Sequence, residues 1–173
     1  MAAGNTYTTI ASNTLSSATS SVTFGSIGSS YTDLVLVMFI KSATTNNPTI
    51  QMRFNGDTGS NYGANQLYTN SSTTGALGYN QNTNSNHMPI FRNGISAAVG
   101  ETSGLISNIF TYAGSTFKTV LTNSVNPNSS GMIEYNTSIW SNTAAVTSIN
   151  VFSATTNDFA VGSTFALYGI LAA

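Results

Sequence analysis

Seven consecutive apolar residues, Leu34 to Ile40, lie between Asp33 and Lys41. This run constrains the fold more than any other feature of the chain. It is too short for a membrane helix, which needs about 20 apolar residues. It mixes β-branched and aromatic side chains and lacks helix punctuation, so it reads as a strand. Strand side chains point alternately to two faces. A run that is apolar at every position therefore expects cover on both, as a central strand lying under a second sheet or a neighbouring subunit.

The 173 residues suit one domain, 1–173, long enough to bury a proper core, with residues 1–20 expected as an N-terminal arm. Only 5% of the residues are charged and the net charge is −1, far from the usual quarter of charged residues. Disorder is excluded because Phe, Tyr, Val and Ile recur in every strand-like segment. Four basic residues, Lys41, Arg53, Arg92 and Lys118, give almost no basis for nucleic-acid binding. So uncharged a surface is poorly protected from association and reads as one meant to associate. There is no Cys, hence no disulfide, thiolate metal site or Cys nucleophile. The N-terminus has neither a basic region nor an apolar run, so no signal peptide is expected. Sequons at Asn70, Asn128 and Asn136 read as by-products of an Asn/Ser/Thr-rich sequence.

Around the central run, alternating segments read as strands over Tyr7–Ala11, Ser21–Ile27, Ile50–Phe54, Leu105–Ala113, Thr116–Val125, Met132–Trp140, Ala145–Ser153 and Thr164–Leu171. Gln66–Tyr79 gives one or two weak strands, and Gln81–Asn86 a polar loop. Gly114-Ser115 reads as a two-residue hairpin turn. No segment shows helical periodicity and no solenoid repeat is visible. The expected fold is all-β: a jelly-roll-type β-sandwich of about nine to ten antiparallel strands. An immunoglobulin-like sandwich is weakened by the missing Cys…Trp…Cys pattern.

No catalytic constellation emerges. His87 is the single His, and no G-x-S-x-G elbow accompanies it. The acids Asp33, Asp57, Glu101, Glu134 and Asp158 form no recognisable glycosidase pair. The turn Asn55–Asn61 has one carboxylate, Asp57, and lacks the closing acid of a calcium loop. Arg53 and Asp57 flank this turn and are placed to pair across it. Neither a metal nor another cofactor is expected. Tyr62, Tyr68, Tyr79, His87, Tyr112, Tyr135 and Trp140 are the candidate interface or glycan-contact residues, because aromatics serve both roles.

The ordered segments Ser21–Ile27, Tyr31–Leu36, Arg53–Tyr62, Trp140–Ile149 and Gly162–Ile170 resemble a group of small structural proteins of tailed bacteriophages. The resemblance spans nearly the whole chain. It implies a virion component made in the host cytoplasm, without catalytic residues to carry over. The expected role is a capsid decoration, or cement, protein. Its partners would be copies of itself, as a closed trimer, and the major capsid protein or other virion proteins, with no nucleic acid or membrane. The alternative is a tail or head fibre module that binds host surface carbohydrate.

Overall fold

The computed structural model of the protein describes residues 6–45, 47–69, 77–92, 94–96, 100–127, 131–154 and 159–171, without the side chains of 77–82. The described residues form twelve strands and no helix. They are β1 (Tyr7–Thr14), β2 (Ser21–Phe24), β3 (Asp33–Ile40), β4 (Ile50–Phe54), β5 (Tyr62–Thr69), β6 (Leu77–Ser85), β7 (Met88–Phe91), β8 (Ser103–Phe110), β9 (Lys118–Asn126), β10 (Met132–Trp140), β11 (Ile149–Ser153) and β12 (Thr164–Ile170).

Two antiparallel sheets form a single-domain sandwich. The large sheet has eight strands in the order β1-β12-β3-β8-β9-β10-β5-β6, and the small sheet four in the order β2-β11-β4-β7. One hydrophobic core lies between them. Leu34, Leu36, Met38 and Ile40 supply it from β3, Ile50, Met52 and Phe54 from β4, and Phe165 and Leu167 from β12. The inward face of β12 continues to Gly169, where a side chain would collide with the ring of Tyr31 at 2.3 Å. Glycine is needed here because an aromatic ring sits directly on the backbone.

The strand count exceeds the nine to ten expected. Met88–Phe91 is a strand outside the expected set; it contains Pro89, and β7 lies at the edge of the small sheet, where proline is tolerated. The polar stretch Gln81–Ser85, expected as a loop, belongs to β6, the edge strand that pairs with β5. Polar composition misled because an edge strand draws its stability from backbone pairing more than from buried side chains. The segment expected as an N-terminal arm contains β1, paired with β12. The β8–β9 hairpin forms, but through residues 111–117 rather than a two-residue turn. Tyr112 is buried within that connection. The Lys118 ammonium ties it down by donating to the carbonyls of Gly114, at 2.8 Å, and Thr116.

Candidate interaction surface

The apolar run of β3 separates into two faces with different fates. Leu34, Leu36, Met38 and Ile40 are fully buried under the small sheet. On the other face Val35 is buried, Val37 half-buried and Phe39 53% exposed. Cover on both sides was expected; within one chain the second side stays open.

Pairing registers show how this open face continues. One row runs Val37, Ile106, Asn123, Tyr135, Leu67 across β3, β8, β9, β10 and β5. The next runs Phe39, Gly104, Val125, Ile133. Ile106, Val125, Ile133, Tyr135 and Leu67 are all about half exposed. Gly104 leaves a notch between Phe39 and Val125: an added Cβ would touch Val125 at 3.4 Å and Phe39 at 3.8 Å. The notch floors a groove of about 340 Å³ that reaches Ile133 and Tyr135.

Beneath these rows the patterning is inverted. On β10 Ile133, Tyr135 and Ile139 face outward with Thr137, while Glu134, Asn136 and Ser138 face inward with Trp140 and are buried. On β9 Leu121 and Val125 face out beside Thr119 and Asn123, while Thr122, Ser124 and Asn126 face in beside Val120. Most of the inward polar groups are hydrogen-bonded, while Asn136 Oδ1 and Ser138 Oγ are buried without a partner among the described residues. Ser107 and Thr122 hydroxyls bond at 2.8 Å. The Glu134 carboxylate accepts from Asn136 Nδ2 at 2.7 Å, Gln66 Nε2 at 3.3 Å and the Arg92 amide at 2.9 Å. An antiparallel sheet with one wet face normally puts apolar residues inside and polar ones outside. This half of the sheet does the reverse. Among the outward positions of its paired strands the only charge is Asp33, at the rim, where it accepts from the Thr111 amide at 2.6 Å.

The candidate residues read from the sequence scatter over three environments. Tyr62, Tyr112 and Trp140 are core side chains and present no surface to a ligand. The Tyr62 and Trp140 rings stack at 6.3 Å, with Phe54 edge-on to Trp140 at 5.5 Å. Burial pushes the Tyr62 phenol up to about 12. Its oxygen accepts from the Phe54 amide at 3.2 Å and donates to a carbonyl, that of Phe54 at 3.3 Å or of Asp57 at 3.2 Å. The Tyr112 hydroxyl donates to the Gly28 carbonyl at 2.6 Å, and burial likewise raises its pKa. Tyr135 is exposed on the apolar face, and Tyr68 is half-buried. The side chain of Tyr79 lies outside the described residues, as do Asp158 and the sequons at Asn70 and Asn128. His87 is half-buried beside the small sheet, 2.7 Å from the Asn86 side-chain oxygen; burial, then the nearby Arg53, lowers its pKa.

The described acids are likewise engaged by the protein itself. Asp57 does not pair with Arg53. Its carboxylate accepts from Trp140 Nε1, Asn61 Nδ2 and the Gly59 amide. These donors, the indole foremost, hold it below its ordinary value against the opposing effect of burial. Glu134 is buried, and Glu101 accepts from the Ser96 hydroxyl. Comparison with protein-family models, curated proteins and solved structures finds no match for the chain.

The inversion of β9 and β10 escaped sequence reasoning. Alternation marks two faces but does not say which one turns inward. The available signal was the coincidence of Glu134, Asn136 and Ser138 on one face with Ile133, Tyr135 and Ile139 on the other.

Proposed function

We propose that the chain is a non-enzymatic structural protein of an assembled particle, a bacteriophage virion as its resemblance implies. It acts by packing the open face of its large sheet against further protein. The single observation that carries this reading is the partly inverted patterning of β9 and β10, which sends Leu121, Val125, Ile133, Tyr135 and Ile139 outward while Glu134, Asn136, Ser138, Thr122, Ser124 and Asn126 are buried. Such an arrangement is costly for an isolated chain and favourable once the outer face is covered. The face also has the right dimensions. Eight strands at about 4.8 Å spacing and about seven residues at about 3.4 Å rise give roughly 34 by 24 Å, or about 800 Å². That is about the area each partner contributes to a standard stable interface.

The topology supports a jelly roll, the architecture of many virion components. Setting aside β1, β12 and the hairpin β8–β9 leaves two four-stranded sheets, β3-β10-β5-β6 and β2-β11-β4-β7. The chain crosses between these sheets at every step except β5 to β6. The hairpin β8–β9 is then an insertion between β7 and β10. It widens the large sheet and supplies Ile106, Leu121 and Val125 to the open face. A closed trimer seated on the capsid as a decoration protein fits this arrangement, since a head-to-tail contact that closes into a ring covers the face without propagating into fibres.

Electron cryomicroscopy of the particle tests the assignment. The expected map shows closed groups of this protein on the head surface with their eight-stranded sheets turned towards protein. A particle that lacks the protein, or carries it with that face towards solvent, overturns the reading.

A further inference from the structure

The opposite face of the sandwich, the outer side of the small sheet, carries a second feature. Arg53 on β4 lays its guanidinium on the ring of Phe152 from the neighbouring strand β11, 4.5 Å from the ring centre. Its Nε donates to the Asn86 carbonyl at 2.8 Å. These two contacts fix the plane of the guanidinium. Its two terminal nitrogens donate to no group among the described residues, and no carboxylate pairs with it. Arg53 and Phe152 line a shallow groove of about 490 Å³ together with Ser20, Ser21, Asn150 and Ser153. Asn150 is itself positioned, since its amide nitrogen donates to Thr23 at 2.8 Å, which leaves its amide oxygen as an acceptor.

We propose that this groove binds a carboxylate-bearing saccharide, such as a uronic or sialic acid residue. A planar guanidinium with a free fork matches a carboxylate in two parallel hydrogen bonds. A rigid platform avoids the entropy cost of ordering a long side chain on binding. The rim offers hydroxyls and an amide, which suit the hydroxyls of a sugar. The fork alone would accept a phosphate as well, and the sugar-suited rim is what favours a saccharide carboxylate. The site does not involve Tyr62, Tyr112 or Trp140, and it faces away from the open face of the large sheet. It is therefore independent of the assembly reading.

Saturation-transfer NMR and calorimetry on the intact protein, in about 20 mM salt where charge interactions are little screened, test the proposal. The probes are trigalacturonate and sialyllactose, with maltotriose and lactose as neutral counterparts and inorganic phosphate and pentaglutamate as other anions. At least one acidic saccharide binds, the neutral ones do not, and phosphate and pentaglutamate bind more weakly. Arg53→Gln weakens binding about tenfold or more with an unchanged circular dichroism spectrum. Arg53→Lys falls between, because it keeps the charge and loses the fork. Asn150→Ala, which leaves Arg53 in place, also weakens the acidic saccharide and serves if Arg53→Gln fails to fold. The proposal is overturned if neither acidic saccharide binds, if folded Arg53→Gln or Asn150→Ala binds as the wild type does, or if pentaglutamate or phosphate binds as tightly as the sugars.

Discussion

Replacing Asp57 by Asn probes the turn between β4 and β5 at its electrostatic centre. One carboxylate oxygen accepts from Trp140 Nε1 at 2.8 Å and from Asn61 Nδ2 at 2.9 Å, and the other from the Gly59 amide at 2.8 Å. An amide has a single acceptor oxygen, so one side must present N–H to N–H. Hydrogen bonds to a charged group contribute about 1.5–3 kcal/mol and neutral ones about 1 kcal/mol. The carboxylate is partly exposed and solvent screens it, which sets the expected loss near the low end, about 2–3 kcal/mol. For a chain of this size that lowers Tm by about 4–12 °C. The pH dependence has a definite sign. The folded pKa of Asp57 lies below its unfolded value. The carboxylate therefore stabilises the fold above the unfolded pKa, about 3.9, and this contribution is lost as pH falls through the folded pKa. The stability gap between wild type and Asp57→Asn should be full near neutral pH and shrink as pH is lowered below about 4. Urea unfolding followed by the fluorescence of Trp140, the single tryptophan and itself a donor to Asp57, measures it. A loss under about 0.5 kcal/mol at neutral pH, or a gap that stays constant with pH, would refute the reasoning.

Two further substitutions test the frame around this turn and the open face. Gly169→Ala places a methyl against the ring of Tyr31 and should cost about 1–3 kcal/mol in urea unfolding, as overpacked sites do; a change near zero would mean the ring moves freely. Lys118→Ala removes a fully buried side chain and the ammonium that binds the Gly114 and Thr116 carbonyls. It should cost about 2–4 kcal/mol and raise hydrogen exchange in residues 111–117, and unchanged exchange there would contradict the tie.

The all-β class, the central place of Leu34–Ile40 and the hairpin between β8 and β9 were legible because each rests on local patterning. The four-residue strand β7 is short and holds Pro89, and the edge position that tolerates the proline is a tertiary fact. The aromatic candidates illustrate a different limit. Tyr62 and Trp140 differ from Tyr135 only in the face each occupies, and a one-residue shift of register exchanges faces; Tyr112 is buried in the connection between β8 and β9. Arg53 was read as a partner of Asp57 from proximity in sequence, yet its contacts are Phe152 and Asn86, brought beside it by the pairing of β4 with β11 and by the strand turn before β7. Separations of that length leave no trace in local pattern.

The central claim is that the outer face of the eight-stranded sheet is an interface, and the mass of the purified protein in solution tests it most directly. Sedimentation velocity of the wild type at about 1–100 μM should show a closed oligomer, a trimer, that persists in about 1 M salt because its contacts are apolar. Val125→Asp, at an exposed position beside the Gly104 notch, should give a folded monomer with an unchanged circular dichroism spectrum. A wild-type protein that remains monomeric across the whole range, or an oligomer indifferent to Val125→Asp, would contradict the account.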